Sequence, residues 1–126
     1  MTEIRDDLLY TENDEWVRKK DSVVRIGITD YAQEHLTDVV YVELPGVGER
    51  FEQGDEIAVV ESVKSVSEIY APVSGEITAV NKELEGTPEL VNESPYDEGW
   101  LLEMEIDDEM ELETLLRAAA YEAQLD

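Results

Sequence analysis

The 126-residue chain contains no cysteine. This absence excludes disulfides, a thiolate nucleophile, and zinc or iron–sulfur sites bound by cysteine. Any redox chemistry must therefore come from a group that the polypeptide does not encode. The chain also lacks any run approaching the roughly 18 apolar residues of a membrane helix, and the N-terminal segment MTEIRDDLLYTENDEW has no apolar core of a secretion signal. These absences predict a soluble, cytoplasmic protein.

Basic residues are scarce, with 9 Lys and Arg against 33 Asp and Glu and a formal net charge of −24. Such a charge disfavours binding to nucleic acid or to an anionic membrane. The acids are spread along the chain in short clusters, which favours a global adaptation over one acidic docking tail. In molar salt the Debye length falls to about 3 Å from about 8 Å, so self-repulsion is largely screened. The composition is typical of the cytoplasm of a halophilic microbe.

No catalytic constellation is recognisable. Gly46 and Gly48 lack the third glycine and the following helix of a dinucleotide-binding fingerprint, so this segment is predicted to be a turn. His35 is the only histidine, and no serine or cysteine partner can be identified for it. Carboxylates are too numerous for any pair to indicate a glycosidase or a metal site. The sequence predicts a protein that is not an enzyme; the alternative, an enzyme, would depend on the acids and His35.

Short β-branched segments separated by turn formers predict a mainly β fold, a barrel or a sandwich, in a single domain over residues 1–126. The predicted strands are residues 22–28, 38–44, 56–62, two segments within 67–81, and 100–106. Residues 82–99 are rich in turn formers and are predicted to wrap irregularly over the body.

Two helices are predicted. A short one covers residues 30–36, with Thr29 or Asp30 as its cap and Gln33 at the spacing of a capping box. A C-terminal helix covers about residues 108–122 and begins at Asp107 or Asp108. The apolar stripe that supports this second helix consists of Leu112, Leu115, Leu116 and Ala119.

Lys64 stands out among the lysines of the chain, which are Lys19, Lys20, Lys64 and Lys82. It lies midway between two strand-like segments, at the tip of a hairpin predicted over about residues 56–70. A protonated amine is not a nucleophile, so chemistry by the lysine itself is not expected at an exposed tip. A protruding amine is accessible to a modifying enzyme. Position alone leaves two interpretations open, a modification site and an ordinary surface lysine.

The segment ESVKSVSEIYAPVSGE, residues 61–76, resembles the lipoylation segment of glycine cleavage system H proteins. Four further segments match the family in order and spacing: EWVR (15–18), GITDYAQEHLTDVVYVELPGVG (27–48), ELVNESPYDEGWL (89–101) and YEAQL (121–125). The resemblance therefore covers nearly the whole chain.

This resemblance implies a lipoyl-domain-like β-barrel-sandwich hybrid with a short helix in the N-terminal half and a C-terminal helix. It implies that Lys64 carries lipoate in amide linkage. Glu15 and Glu68 then line a pocket for the loaded arm, although Asp14 replaces the histidine that usually precedes this glutamate in the family. The positions implied as recognition context for the attaching enzyme and the partners are Glu61, Ser62, Ser67 and Glu68.

The implied function is that of a non-catalytic carrier. Its arm takes an aminomethyl group from the pyridoxal-phosphate glycine decarboxylase to the tetrahydrofolate-dependent aminomethyltransferase. Dihydrolipoyl dehydrogenase then reoxidises the arm, and a separate enzyme attaches the lipoate. The resemblance further implies a monomer without nucleic-acid or membrane partners. The alternatives are a lipoyl carrier for another complex and a lipoate relay; a biotin carrier is disfavoured because Val63 and Ser65 flank Lys64 in place of two methionines.

Overall fold

The computed structural model describes residues 2–125, which form two antiparallel β-sheets. The strands are β1 Leu9–Tyr10, β2 Glu15–Lys20, β3 Val23–Ile28, β4 Val39–Glu43, β5 Arg50–Phe51, β6 Glu56–Ser62, β7 Val66–Tyr70, β8 Gly75–Val80, β9 Leu102–Ile106 and β10 Leu116–Arg117. The helices are α1 Asp30–Leu36, α2 Glu83–Gly86, α3 Leu90–Glu93 and α4 Ala118–Gln124, with a 3-10 helix at Glu109–Thr114. Among these residues, no helix is long and apolar enough to cross a membrane.

The larger sheet has the strand order β10-β1-β2-β3-β9-β8-β5, and the smaller has the order β4-β6-β7. Alternate residues of the strands point inward, as Val24, Ile26 and Ile28 do in β3. The inward side chains of both sheets share one apolar core. The prediction of a mainly β protein is confirmed.

The predicted strands and the first helix are present within two residues of their expected limits. The side chain of Thr29 caps α1 by accepting a hydrogen bond from the backbone N–H of Ala32 (3.2 Å). Asp30 lies inside the first turn and accepts a hydrogen bond from the Gln33 side chain (2.7 Å). Strand β2 was not predicted, because four of the six residues in EWVRKK are charged and hide its alternation.

The predicted C-terminal helix over residues 108–122 is wrong in its starting point, because α4 begins at Ala118. Asp108 does cap a helix, but that helix is of the 3-10 type and ends at Thr114. Asp108 and Glu111 have the spacing of a capping box, but the Glu111 carboxylate instead accepts hydrogen bonds from the backbone N–H and the hydroxyl of Ser74 (2.7 and 2.9 Å). Leu116 then pairs with Tyr10 in β1, and this pairing breaks the helix.

The apolar stripe of the predicted helix is split between two clusters. Leu112 and Leu115 pack against the main core, Leu116 packs against a second cluster, and Ala119 is exposed. The second cluster consists of Leu8, Tyr10, Trp16, Tyr96, Ala118 and Tyr121. It holds α4 against the larger sheet through the stacked rings of Tyr10 and Tyr121, whose centroids are 4.5 Å apart.

Residues 82–99 are more ordered than predicted, because they contain the single turns α2 and α3. Leu84 and Val91 are buried beneath these turns. The indole N–H of Trp16 donates to the carbonyl of Pro95 (2.9 Å), which fixes the end of the segment to β2. Residues 82–99 are therefore packed against the rest of the fold.

Strands β8 and β9 lie close together at Gly75, and a substitution at this residue tests their packing. A Cβ atom at Gly75 would lie 2.0 Å from the carbonyl oxygen of Glu105. We expect Gly75→Ala to lower the free energy of unfolding by about 1–3 kcal/mol, because the strands would have to separate. Gly86→Ala is the control, since nothing lies within 4 Å of a Cβ there. Chemical denaturation measures both, and equal stability of the two variants would contradict this packing.

Candidate functional site

The tip of the β6–β7 hairpin is shaped by the side chain of Ser62. Its hydroxyl oxygen accepts hydrogen bonds from the backbone N–H groups of Lys64 (3.3 Å) and Ser65 (3.1 Å). The backbone N–H of Ser62 donates to the carbonyl of Ser65 (2.8 Å), which closes the loop. The Ser62 hydroxyl thus stabilises a hairpin turn that lacks the Asn-Gly dipeptide typical of tight turns. Ser62 is only 6% exposed and acts within the protein.

Lys64 is exposed at this tip. Within residues 2–125, ion pairs involve Arg5, Arg18, Lys19, Arg25 and Arg50, and no carboxylate lies within 4.0 Å of the Lys64 amine. The backbone of the loop is also tied to β4, because the N–H of Val63 donates to the carbonyl of Asp38 (3.0 Å). The tip therefore has a fixed backbone and a lysine side chain that no ion pair with the described residues restrains.

The other residues predicted around Lys64 lie on β6 and β7. Glu61 is half-buried and lies opposite Val66. Ser67 is half-buried and lies opposite buried Val60, and Glu68 is exposed. Glu61 and Glu68 share the outer face of the sheet, because strand residues alternate between faces.

Glu15 begins β2 and is 1% exposed. One carboxylate oxygen accepts a hydrogen bond from the Thr11 hydroxyl, and the other accepts one from the backbone N–H of Tyr70, both at 2.8 Å. Burial raises the pKa of Glu15 to about 7; the two hydrogen bonds lower it and the nearby charge of Asp14 raises it further. Because β2 and β7 belong to different sheets, this carboxylate joins the two sheets.

Glu15 also lines a cleft of about 290 Å³. Polar groups of the cleft include Thr11, Asn13, Gln53, Tyr70 and Thr114, and Leu115 and Leu116 supply apolar surface. Glu68 is not among the described residues that line it. The structure therefore brings Glu15 and Tyr70 together at this cleft and leaves Glu68 on the outer face. Only the family resemblance names Glu15 as a pocket residue; composition and spacing give no signal for the cleft, since its walls come from four distant segments.

Asp14 has a left-handed backbone with φ 69°. Its carboxylate accepts a hydrogen bond from the Tyr121 hydroxyl (2.8 Å), which also bonds to the Thr29 hydroxyl (2.7 Å). The backbone N–H of Thr29 donates to the carbonyl of Asp14 (3.0 Å). Burial raises the pKa of Asp14, and the bond from Tyr121 opposes that shift. The residue at the position of the family's histidine thus ties α4 and the cap of α1 to the start of β2.

No group of three His, Cys, Asp or Glu side chains within residues 2–125 is placed to hold a metal ion. His35 is exposed, with Nδ1 lying 2.9 Å from the carbonyl oxygen of Tyr31. Residues 2–125 therefore offer no candidate metal centre.

Comparison with known proteins gives concordant results. Residues 8–126 match the family model described as "Glycine cleavage H-protein". The chain is 56% identical over 119 residues to the "Probable glycine cleavage system H protein" of Natronomonas pharaonis, covering 94% of each chain. It is 55% identical over 117 residues to the "Glycine cleavage system H protein" of Oceanobacillus iheyensis, covering 93% of each chain.

A solved structure shows the same architecture. The crystal structure of a glycine cleavage system H protein from Mycobacterium marinum superposes with a TM-score of 0.88 at 38% sequence identity. The match covers 96% of this chain and 98% of the other. Together with the two sheets, it confirms the predicted lipoyl-domain-like barrel-sandwich fold.

Glu15 should leave a signature in the pH dependence of stability. Its pKa is raised from an ordinary 4.5 to about 7, so between these values the folded protein binds more protons than the unfolded chain. Folding stability should therefore fall as the pH rises through this range, by on the order of 3 kcal/mol. We expect Glu15→Gln to lose this part of the pH dependence, and Glu12→Gln, an exposed neighbour, to retain it.

Denaturation at several pH values measures the effect, and carboxyl NMR locates the titration directly. A Glu15 midpoint at its ordinary value would contradict the assignment.

Proposed function

The chain belongs to the glycine cleavage H-protein family, whose members are non-catalytic lipoyl carriers, and we propose that Lys64 is the residue that carries lipoate in this protein. The observation that carries the proposal is an exposed amine without an ion-pair partner among residues 2–125, on a tip whose backbone is fixed by Ser62. When bound, lipoate supplies a disulfide that takes up two electrons together with an aminomethyl group, chemistry that a cysteine-free chain lacks.

The residues around Lys64 suit attachment of such an arm. Attachment forms an amide between the lysine Nζ and the carboxyl carbon of an activated lipoyl donor, breaks the bond to the leaving group, and releases one amine proton. No electron transfer is involved. The hydroxyl of Ser62 holds the tip in place, and Glu61 and Glu68 present recognition contacts on the outer face of β6 and β7. Ser67, predicted with them, is half-buried on the opposite face.

The cleft beside Glu15 is the proposed resting place of the loaded arm. An ionised carboxylate pairs with a cationic amine, and the cleft walls shield that amine from water. Because an adjacent cation lowers the pKa of a carboxyl group, the loaded arm favours the ionised form of Glu15. Glu68 does not line the cleft and is assigned to the outer face.

The family works with a glycine decarboxylase, an aminomethyltransferase and a dihydrolipoyl dehydrogenase. We propose that this protein serves all three as a cytoplasmic monomer after a separate enzyme attaches its lipoate. A tethered arm keeps the effective concentration of its cargo high at each enzyme.

Replacement of the lysine tests the assignment. Lys64→Arg keeps the positive charge but cannot form the lipoyl amide, so we expect it to abolish the glycine-dependent exchange of carbon dioxide by glycine decarboxylase. Lys82→Arg, at another exposed lysine, should retain the exchange. Both variants are first incubated with lipoate and an attaching enzyme. Exchange that persists in Lys64→Arg would overturn the assignment.

We further propose that the acidic surface is an adaptation to high salt, supported by the net charge of −24. Repulsion between exposed carboxylates weakens as the Debye length shortens. The thermal unfolding midpoint should therefore rise between about 0.1 M and about 2 M KCl. An uncharged osmolyte is the control, and a midpoint that responds to the osmolyte but not to KCl would contradict the proposal.

A further inference from the structure

Exposed apolar side chains cluster around the hairpin tip. Within residues 2–125 the large hydrophobic residues that remain exposed are Val40, Tyr41, Val47, Val63, Val66 and Met110. Four of these six, Val40, Tyr41, Val63 and Val66, lie on the tip or on the outer face beside it, and they are 49–67% exposed. We name these four residues the tip patch. Single exposed hydrophobic residues are ordinary, but several of them on one surface can mark an interaction site.

The backbone arranges this patch through a β-bulge. The register of β4 against β6 shifts between Val39 and Tyr41, so Val40 is an extra residue. The bulge leaves Val39 and Val42 in the core and places both Val40 and Tyr41 in solvent. Bulges often re-aim side chains next to functional sites.

The patch crosses three strands. Tyr41 in β4 lies opposite Glu61 in β6, which lies opposite Val66 in β7. Since neighbouring strands are about 4.8 Å apart, Tyr41 and Val66 flank Glu61 on one surface. The hydrogen bond from Val63 to Asp38 joins the loop to the same surface. Residues distant in sequence therefore form one surface directly beside Lys64.

Exposure alone does not distinguish Lys64 from the other lysines. Lys19, Lys20 and Lys82 are also exposed, and no carboxylate among the described residues lies within 4.0 Å of the amines of Lys20 and Lys82. Lys82 shares a groove with Tyr41, but only Lys64 has the exposed pair Val63 and Val66 next to it. An enzyme that selects Lys64 needs such a difference in surroundings.

We propose that the tip patch is the docking surface for the enzyme that attaches lipoate, and this inference rests on the function proposed for Lys64. That enzyme must bring the lysine Nζ itself to bonding distance of an acyl carbon. It must therefore contact the surface within one lysine side chain of the tip. The loaded arm extends beyond the lysine when it reaches the other enzymes. Those enzymes therefore need no contact with the surface next to the tip.

The acidic residues around the tip patch indicate which side chains the partner enzyme would present to it. Asp38 precedes β4 and accepts the loop hydrogen bond, and Glu43, Glu61 and Glu68 share the outer face of the small sheet. These acids border or interrupt the apolar patch. The complementary surface is accordingly apolar with basic side chains at its rim, and the basic rim would speed association at low salt.

Threonine substitutions test the patch, because threonine matches valine in shape and retains strand propensity while adding a hydroxyl. The variants are the double Val63→Thr/Val66→Thr and the single Tyr41→Thr. Val47→Thr is the matched control, since Val47 is 63% exposed and follows the opposite end of β4 from the tip. Intact mass follows initial lipoylation rates with a purified lipoate–protein ligase, lipoate and ATP, and thermal unfolding checks the fold of each variant.

We expect kcat/KM to fall about tenfold or more for both patch variants, a change of about 1.4 kcal/mol. The control and Tyr41→Phe, which keeps the ring, should stay within about twofold of the wild type. Rates for the patch variants equal to the control would overturn the inference. Slowing of the double variant without slowing of Tyr41→Thr would also overturn it, because recognition would then involve the tip segment alone.

Different results would contradict the proposed lipoylation of Lys64 and the proposed docking surface. A wild-type protein that is never modified at Lys64 would contradict the proposed function itself. A wild-type protein modified at Lys64 at the same rate as the patch variants would contradict only the docking surface.

Discussion

The buried carboxylate of Glu15 is the interaction on which the rest of the site depends. It accepts hydrogen bonds from Thr11 beside the large sheet and from the backbone of Tyr70 in the small one. Because β7 also forms half of the Lys64 hairpin, this contact sets the base of the hairpin relative to the cleft. Loss of the carboxylate would leave the partly buried N–H of Tyr70 without its acceptor, a cost of about 1–3 kcal/mol.

The protein combines a hydrogen-bonded hairpin loop with an exposed lysine side chain. Backbone N–H groups of the loop donate to the Ser62 hydroxyl and the Asp38 carbonyl and so fix the loop, while the amine of Lys64 extends from it without an ion pair in the described part of the chain. A carrier needs this division, since its cofactor performs the chemistry while the protein controls where the cofactor is held. The same carboxylate of Glu15 then serves both the architecture and the cleft.

The sequence predicts the hairpin and α1 well because both depend on local signals, alternation and a cap at Thr29. It predicts α4 poorly because the start of that helix depends on tertiary contacts of Glu111 and Leu116. Glu15 was named only through family resemblance, since one acid among 33 carries no local signal. The separation of Glu68 from the cleft and the bond between Asp14 and Tyr121 require the packed structure.

Mass analysis of the protein purified from its native cells tests the central claim most directly. Intact mass, followed by peptide mapping, shows whether a lipoyl group is present and on which lysine. We expect one lipoyl group, on the peptide that contains Lys64. A protein wholly unmodified in cells that contain lipoate, or one modified at another lysine, would contradict it.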